Sequence, residues 1–139
     1  MSEIELHIIT PLGQVLEAKV ESVSVPTTSG IITILPNHIP LVSVLKAGEL
    51  VTFKDGAKVS YAVWNGVVEV ASTGQDTVVT VLVNRSEKAA EINIEQAEAA
   101  YKRAKDIQDG IHESDIDFAR FESLMEKELN RVHIGRKYK

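Results

Sequence analysis

The sequence contains no cysteine, which excludes disulfides, thiol chemistry and cysteine-ligated metal sites. It also lacks an excess of basic residues: the net charge of −5 argues against a nucleic-acid-binding protein, which usually presents a basic face. Long hydrophobic runs are missing, so no segment is predicted to cross a membrane. The N-terminus has neither the basic nor the apolar region of a signal peptide. We therefore expect a cytosolic protein, or one held at a membrane only by a partner.

Motifs of catalysis are missing as well. There is no phosphate-binding loop, no Gly-x-Ser-x-Gly and no Gly-x-Gly-x-x-Gly. The carboxylates of Asp115 and Asp117 fit the start of a helix, where negative charge is favourable. None of the four histidines is three or four residues from another, so no metal site is predicted. An enzyme is not expected. The histidines are His7, His38, His112 and His133.

Residues 4 to 85 read as β structure, and the stretch from Pro26 to Leu50 is the one around which the rest of the chain is organised. It holds three of the four prolines, with short β-branched runs between turn signals, which is typical of strands joined by tight loops. Pro36 and Pro40 bracket a short loop that contains His38. Because each proline fixes φ and restricts the residue before it, we expect this loop to be rigid.

Turn signals recur through the β region at intervals of about ten residues, as in a sandwich or barrel. Pro11-Leu12-Gly13 and Lys54-Asp55-Gly56 each predict a turn. The dipeptide Asn65-Gly66 is the strongest short hairpin signal, because both residues tolerate positive φ. It therefore predicts that the strands on either side of it pair with each other.

The composition changes after Asn84 to one rich in alanine, glutamate and lysine, which predicts helices. Asn93 with Gln96, and Ser114 with Asp117, have the spacing of capping boxes. Apolar residues then recur three or four apart, giving one stripe on each helix. The first stripe is Ile94, Ala97, Tyr101, Ala104 and Ile107; the second is Phe118, Phe121, Met125, Leu129 and Val132.

The connection at Asp109-Gly110 is short, so the two helices are expected to be antiparallel. The alanines bury little area, at about 25 cal/mol per Å² of apolar surface. We therefore interpret the helix pair as weakly held and able to move.

The end of the chain is basic. Five cations oppose a single Glu128, and this pattern has two interpretations that the sequence leaves open. Cations are favoured near a helix C-terminus, or the basic end docks on an acidic surface. The cations are Lys127, Arg131, Arg136, Lys137 and Lys139.

Taken together, the motifs resemble the epsilon subunit of bacterial F-type ATP synthase over nearly the whole chain. The most specific block is Leu35-Pro36-Asn37-His38-Ile39-Pro40-Leu41. The resemblance implies a ten-stranded β-sandwich at residues 1–86, followed by an antiparallel two-helix hairpin at residues 87–139. The other matching segments are Thr10-Pro11-x-Gly13, Val25-Pro26-Thr27, Gly30, Leu45-Lys46-x-Gly48-Glu49, Asn65-Gly66 with Val68-Glu69-Val70, Asp115-Ile116-Asp117-Phe118 and Asn130-Arg131.

The same resemblance implies a non-catalytic rotor subunit in the central stalk, which couples proton-driven rotation of the c-subunit ring to ATP synthesis through the gamma subunit. It implies a peripheral position at the cytoplasmic face of the plasma membrane, reached only through the complex. Two loops would meet gamma and the ring. The residues carried over for these contacts are Thr28, Ser29, Gly30, Ile31, Ile32, Asn37 and His38.

In this family the helical arm can extend to the alpha and beta subunits of the catalytic head and inhibit ATP hydrolysis. Arg120, Lys127 and Arg131 are the positions expected to meet acidic residues of beta. Some members bind ATP through Ile/Leu-Asp-x-x-Arg-Ala in the first helix. Those positions read Ile94, Glu95, Glu98 and Ala99 here. A carboxylate replaces the guanidinium, so weak or no ATP binding is expected, and no cofactor.

Two alternatives come from other classes of protein. The first is a free-standing sandwich that binds a partner and dimerises through its helices. The second is a small enzyme that uses His38. Co-purification with a stalk would distinguish the first from a rotor subunit, and loss of turnover in His38→Ala would reveal the second.

Overall fold

The computed structural model describes residues 3–138, which form ten strands, one short 3₁₀ helix and two α-helices. The predicted combination of a sandwich and two helices is confirmed. The strands are β1 Ile4–Thr10, β2 Gly13–Val20, β3 Ser22–Thr27, β4 Gly30–Ile34, β5 Leu41–Leu45, β6 Gly48–Lys54, β7 Ala57–Val63, β8 Gly66–Thr73, β9 Asp76–Val83 and β10 Ser86–Lys88. The 3₁₀ helix is Ala89–Glu91, and the α-helices are α1 Ile94–Asp109 and α2 Ile116–Lys137.

The strands follow the order β10-β7-β6-β3-β5-β8-β9-β1-β2, with β4 paired to β3. β1 and β9 are parallel, and the other pairs are antiparallel. The sheet folds over at β3, because Ser22–Ser24 pair with β6 while Thr27 pairs with Leu45 of β5. This fold gives two layers whose inner faces enclose the core.

The core between the layers is aliphatic. Ile4, Leu6 and Ile8 alternate along β1 and are fully buried, while the residues between them face outward. Valines at alternate positions of β3, β8 and β9 close the core from the other strands. This period of two is the one that a half-buried strand requires.

One predicted hairpin is wrong. β7 and β8, on either side of Asn65-Gly66, do not pair with each other: β7 pairs with β6 and β10, whereas β8 pairs with β5 and β9. Asn65-Gly66 is instead the crossover from one layer to the other. Gly66 is needed there for close packing, because a Cβ at this position would lie 2.0 Å from the carbonyl oxygen of Leu82. By contrast, Asp55 and Gly56 have the positive φ of a two-residue hairpin turn, as predicted.

The helix starts follow local capping. Asn93 Oδ1 accepts a hydrogen bond from the backbone N–H of Gln96 at 2.9 Å, as predicted. In α2 the predicted cap at Ser114 is wrong. Asp115 takes that position and accepts from the N–H of Asp117, while the Ser114 hydroxyl lies 2.7 Å from His112 Nδ1.

The predicted apolar stripes are correct only in part. Ala97 and Ala104 are buried, but Ile107 and Leu129 are exposed, and the neighbouring Gln108 and Glu128 are buried in their place. These polar side chains tolerate burial because they are hydrogen-bonded. Gln108 Nε2 donates to the carbonyl of Phe118 at 3.1 Å, and this contact between the end of α1 and the start of α2 shows the antiparallel arrangement.

The chain divides into two compact units, the first ending at Lys88 and the second beginning at Ala89. This boundary lies two residues beyond the predicted division at 86/87. The reason is that Glu87 and Lys88 pair with Ala62 and Tyr61 in the β10–β7 ladder. The second unit, which we call the helical arm, contains the 3₁₀ helix, α1 and α2.

Candidate functional site

The loop between β3 and β4 is short and internally bonded. The Thr27 hydroxyl donates to the carbonyl of Gly30 and accepts from the N–H of Ser29. Gly30 has φ +120, a conformation that favours glycine. Thr28 is exposed, and its N–H donates to the carbonyl of Val44 at 3.1 Å, which ties the loop to β5. The loop therefore presents exposed residues on a fixed backbone.

The loop between β4 and β5 is also fixed by polar contacts. Asn37 has φ +68, and its N–H donates to the hydroxyl of Thr77, a buried residue of β9, at 2.7 Å. His38 is half-buried, and its Nδ1–H donates to the carbonyl of Ile39 at 2.7 Å. The side chain of Ile39 is 74% exposed. The loop that the two prolines predict to be rigid is thus also anchored to β9 by a hydrogen bond.

The structure does not bring these two predicted loops together. They lie at opposite ends of β4, and the four residue steps from Gly30 to Ile34 span about 13 Å. Along β4, Ile31 points outward, whereas Ile32 packs against the core. The two loops therefore offer two separate contact surfaces. Ile32 belongs to neither surface, because it packs against the core and holds β4 in place.

A third surface was not predicted from the sequence. Val44, Val67 and Leu82 lie directly opposite one another across β5, β8 and β9, on the outer face of the sheet. Each is exposed, with 56%, 36% and 49% of the surface accessible, respectively. We call these three residues the outer apolar row. A solvated sheet face usually carries polar residues, so an apolar row here is typical of a docking surface.

Two of the three predicted inhibitory cations lie close to an acidic residue of the helical arm. Arg131 Nη1 lies 2.9 Å from Glu128 Oε2, and both side chains are buried. Lys127 Nζ lies 3.5 Å from the other oxygen of Glu128. Arg120 is exposed on the same helix. Of the three predicted inhibitory residues, Arg120 is therefore exposed, Lys127 is partly exposed and Arg131 is buried. Lys139 of the basic end lies outside the described residues.

The positions of the degenerate nucleotide motif lie on α1. Glu98, which replaces the arginine of that motif, forms an ion pair with Arg136 of α2. Ile94 faces Gly135, where an added Cβ would lie 2.9 Å from Ile94 Cγ1. Glu95 and Ala99 are exposed. Glu98 thus joins α1 to α2 through an exposed ion pair, and its carboxylate stands where the motif has a guanidinium.

Comparison with known proteins identifies the family. Residues 3–89 match the family model of the ATP synthase delta/epsilon chain β-sandwich domain. The chain belongs to the ATP synthase delta/epsilon family. Proteins named ATP synthase epsilon chain are 38% identical in Bacillus velezensis, covering 97% of this chain and 98% of the relative, and 36% identical in Trichlorobacter lovleyi, covering 97% and 95%. Epsilon chains are non-catalytic subunits, so the prediction that the chain is not itself an enzyme is confirmed.

Solved structures support the fold. A chain of the Euglena gracilis mitochondrial ATP synthase, in an assembly of OSCP, F1 and c-ring, superposes with a TM-score of 0.76 at 22% identity, covering 94% of this chain and 79% of that one. A chain of the Tetrahymena thermophila central stalk and c-ring gives 0.59 at 15% identity, covering 96% and 94%. Among residues 3–138, neither helix is long and apolar enough to traverse a bilayer.

Proposed function

We propose that this protein is a rotor subunit in the central stalk of a bacterial F-type ATP synthase, which couples proton-driven rotation of the c-ring to ATP synthesis through gamma. The observation that carries the proposal is the outer apolar row on a family-typical sandwich. A row crossing three hydrogen-bonded strands is rigid, and a subunit that transmits torque needs such a contact. In this arrangement the protein sits peripherally at the cytoplasmic face of the plasma membrane, attached through the complex.

The partners divide among three surfaces. The outer apolar row meets gamma, and the Thr28–Ile32 loop and the Asn37-His38 loop meet the ring and the adjoining part of gamma. Ile31 and Ile39 are the most exposed apolar side chains of these loops. The loops are about 13 Å apart along β4. The contacts with the ring and with gamma therefore form two separate clusters of residues rather than one.

Docking on the row can be tested by reconstitution with gamma. Leu82→Glu places a charge in the row and is expected to weaken the complex by about tenfold or more, as at a buried interface position. Thr73→Glu is the control, because Thr73 is exposed at the β8–β9 turn, at the opposite end of the β8–β9 ladder from Val67 and Leu82. Equal affinities of Leu82→Glu and wild type for gamma would contradict the assignment of this face.

The helical arm is proposed to inhibit ATP hydrolysis when it reaches the catalytic head, with Arg120, Lys127 and Arg131 meeting acidic residues of beta. Arg131 is available only after its buried pair with Glu128 opens. Because each exposed ion pair contributes little, the three cations act together. In the reconstituted complex, hydrolysis should rise in a chain that stops after Lys88, and rise less in Arg120→Ala. Unchanged hydrolysis in both would make the arm purely structural.

ATP is not a strong ligand of the arm in this proposal. Glu98 sits where a guanidinium would meet phosphate and is already paired with Arg136. Lys105, at a later position that is usually basic in the family's motif, keeps the charge but lacks the bidentate fork of arginine. Isothermal titration of the whole chain with ATP should show no micromolar binding, and a saturable micromolar isotherm would refute this point.

A further inference from the structure

The outer face of the β1–β2 hairpin gathers three side chains that can ligate a metal. Glu5 and His7 are two residues apart on β1 and share its outer face, and Glu17 lies directly opposite His7 on β2. One ligand atom from each lies within 4.8 Å of the others. His7 Nε2 and Glu5 Oε1 are 3.6 Å apart. No sequence spacing predicts this group, because the third member comes from strand register.

A β-bulge adds a fourth side chain to the group. The register shifts by one residue after Ile8, so that Gln14 faces Ile9 and Val15 is the extra residue of β2. Gln14 and Glu17 therefore point to the same face although they are three positions apart, an offset that in a regular strand places two side chains on opposite faces. This shift aims the Gln14 amide between His7 and Glu17.

The Gln14 amide determines which imidazole nitrogen carries the proton. Its Nε2 donates to Glu17 Oε2 at 3.1 Å, since a carboxylate only accepts. Its Oε1 then lies 3.1 Å from His7 Nδ1 and accepts a hydrogen bond from the N–H there. In neutral His7 the lone pair is left on Nε2, the atom that faces Glu5. A lone pair facing a carboxylate is unfavourable unless a cation lies between them.

We propose that Glu5, His7 and Glu17 form a binding site for a divalent transition-metal ion, with Zn²⁺ as the best fit, and that Gln14 is its positioning residue. A ligating histidine that donates its other N–H to a fixed acceptor is the usual second-sphere arrangement of zinc sites. Imidazole with carboxylates favours Zn²⁺ over Mg²⁺ or Ca²⁺. Three protein ligands leave the fourth tetrahedral position for water.

The geometry needs only a small adjustment. Ligand atoms about 2.0 Å from a tetrahedral zinc are about 3.3 Å apart, and the three ligand atoms here all lie within 4.8 Å of one another. Glu17 is exposed and held only by its hydrogen bond from Gln14, whereas His7 is half-buried and also bonded to Gln14. Lys19 lies opposite Glu5, so two carboxylates face one ammonium and the group still favours a cation. Since β2 ends the sheet order, a bound ion would fasten this edge strand to β1.

Isothermal titration of the untagged whole chain with zinc chloride tests the proposal. We expect one saturable site at sub-millimolar zinc and a rise in the unfolding temperature on zinc addition. His7→Gln and Glu17→Gln should each weaken binding by at least about tenfold, and Gln14→Ala by about tenfold. His133→Gln is the matched control, because His133 is exposed on α2, and its titration should equal that of wild type. Magnesium chloride should give no saturable heat.

Two results would overturn the site. One is zinc binding of equal strength in His7→Gln and wild type. The other is the absence of saturable binding below millimolar zinc, which would mean that His7 and Glu5 form an ion pair and no metal site. Long-range ¹H–¹⁵N spectra provide a second readout for Gln14. The wild type should show the proton on Nδ1 of His7, and Gln14→Ala should lose this preference while keeping its fold. An unchanged preference would contradict the positioning role.

Discussion

The interiors of the two units differ in chemistry. The sandwich encloses aliphatic side chains such as Leu6 and Ile34, which are fully buried. The helical arm also buries aliphatic residues and three alanines, but its interior includes Glu128, Arg131 and Gln108 as well. The free energy of aliphatic packing is proportional to the apolar area removed from water. Opening such a core exposes that area, and no other contact of the subunit replaces it. A charged pair can exchange one partner for another of the same sign.

This difference separates two mechanical roles. An aliphatic core keeps the sandwich in one arrangement, because opening it exposes apolar surface. A buried ion pair contributes little net stability relative to apolar residues of the same size, so the pair of Glu128 and Arg131 mainly fixes which partner each charge takes. Arg131 would lose little by leaving Glu128 for a carboxylate on another subunit. The chemistry of the arm therefore suits a part that changes partners.

The largest expected effect comes from breaking that pair on one side only. Glu128→Leu leaves Arg131 buried without its carboxylate and should cost about 4 kcal/mol, enough to unfold the arm. The double variant Glu128→Leu/Arg131→Met should recover most of the loss, since matched apolar replacements are often neutral. Helical circular dichroism during urea unfolding measures both. A double variant as unstable as the single one would show that the pair is essential in itself.

The next effect concerns the aliphatic unit. Leu6→Ala removes a fully buried side chain and should destabilise the sandwich by about 3 kcal/mol. Leu129→Ala is the control: its side chain is about half exposed, so a change within about 0.5 kcal/mol is expected. Fluorescence of Trp64, the single tryptophan, follows the sandwich. A loss below 1 kcal/mol for Leu6→Ala would mean that the core relaxes and is less rigid than we infer.

Local signals predicted most of the sandwich but not its crossover. Strand positions and the turn at Asp55-Gly56 follow from short-range sterics, which a sequence displays directly. Asn65-Gly66 has the same local chemistry as a hairpin, yet the strands beside it pair elsewhere. Pairing between distant strands decides that outcome. The outer apolar row was missed for the same reason, because its members come together only through register.

The helix faces were missed for a different reason. Apolar periodicity selected Ile107 and Leu129, but these residues are exposed while Gln108 and Glu128 are buried. Polar residues take inward positions when each finds a partner, and such partners lie on other turns or on the other helix. Thr28 and Asn37 were predicted as contact residues from the family resemblance. Their backbone anchors on Val44 and Thr77 were not visible in the sequence.

A smaller effect is expected at the crossover between the layers. In Gly66→Ala the new methyl group would lie 2.0 Å from the Leu82 carbonyl oxygen, so β8 and β9 must separate locally. Overpacking of this kind should cost about 2 kcal/mol. In Gly110→Ala the nearest atom outside the adjoining residues is 3.5 Å away, so that variant serves as the control. Trp64 fluorescence should report the loss, and equal midpoints for the two variants would contradict the close packing.

The smallest loss of stability is expected from removing the cap at the first turn of α1. Asn93 Oδ1 accepts from the N–H of Gln96, a donor that the helix itself cannot satisfy. Asn93→Ala should therefore destabilise α1 by about 1 kcal/mol, whereas Asn93→Ser keeps a capping oxygen and should remain close to wild type. Amide hydrogen exchange resolves the two units separately. Faster exchange confined to residues of the arm is expected, because the aliphatic core does not depend on this cap. If exchange in β1 and β9 accelerated equally, the two units would unfold together, and the difference in their interiors would no longer imply a difference in mobility.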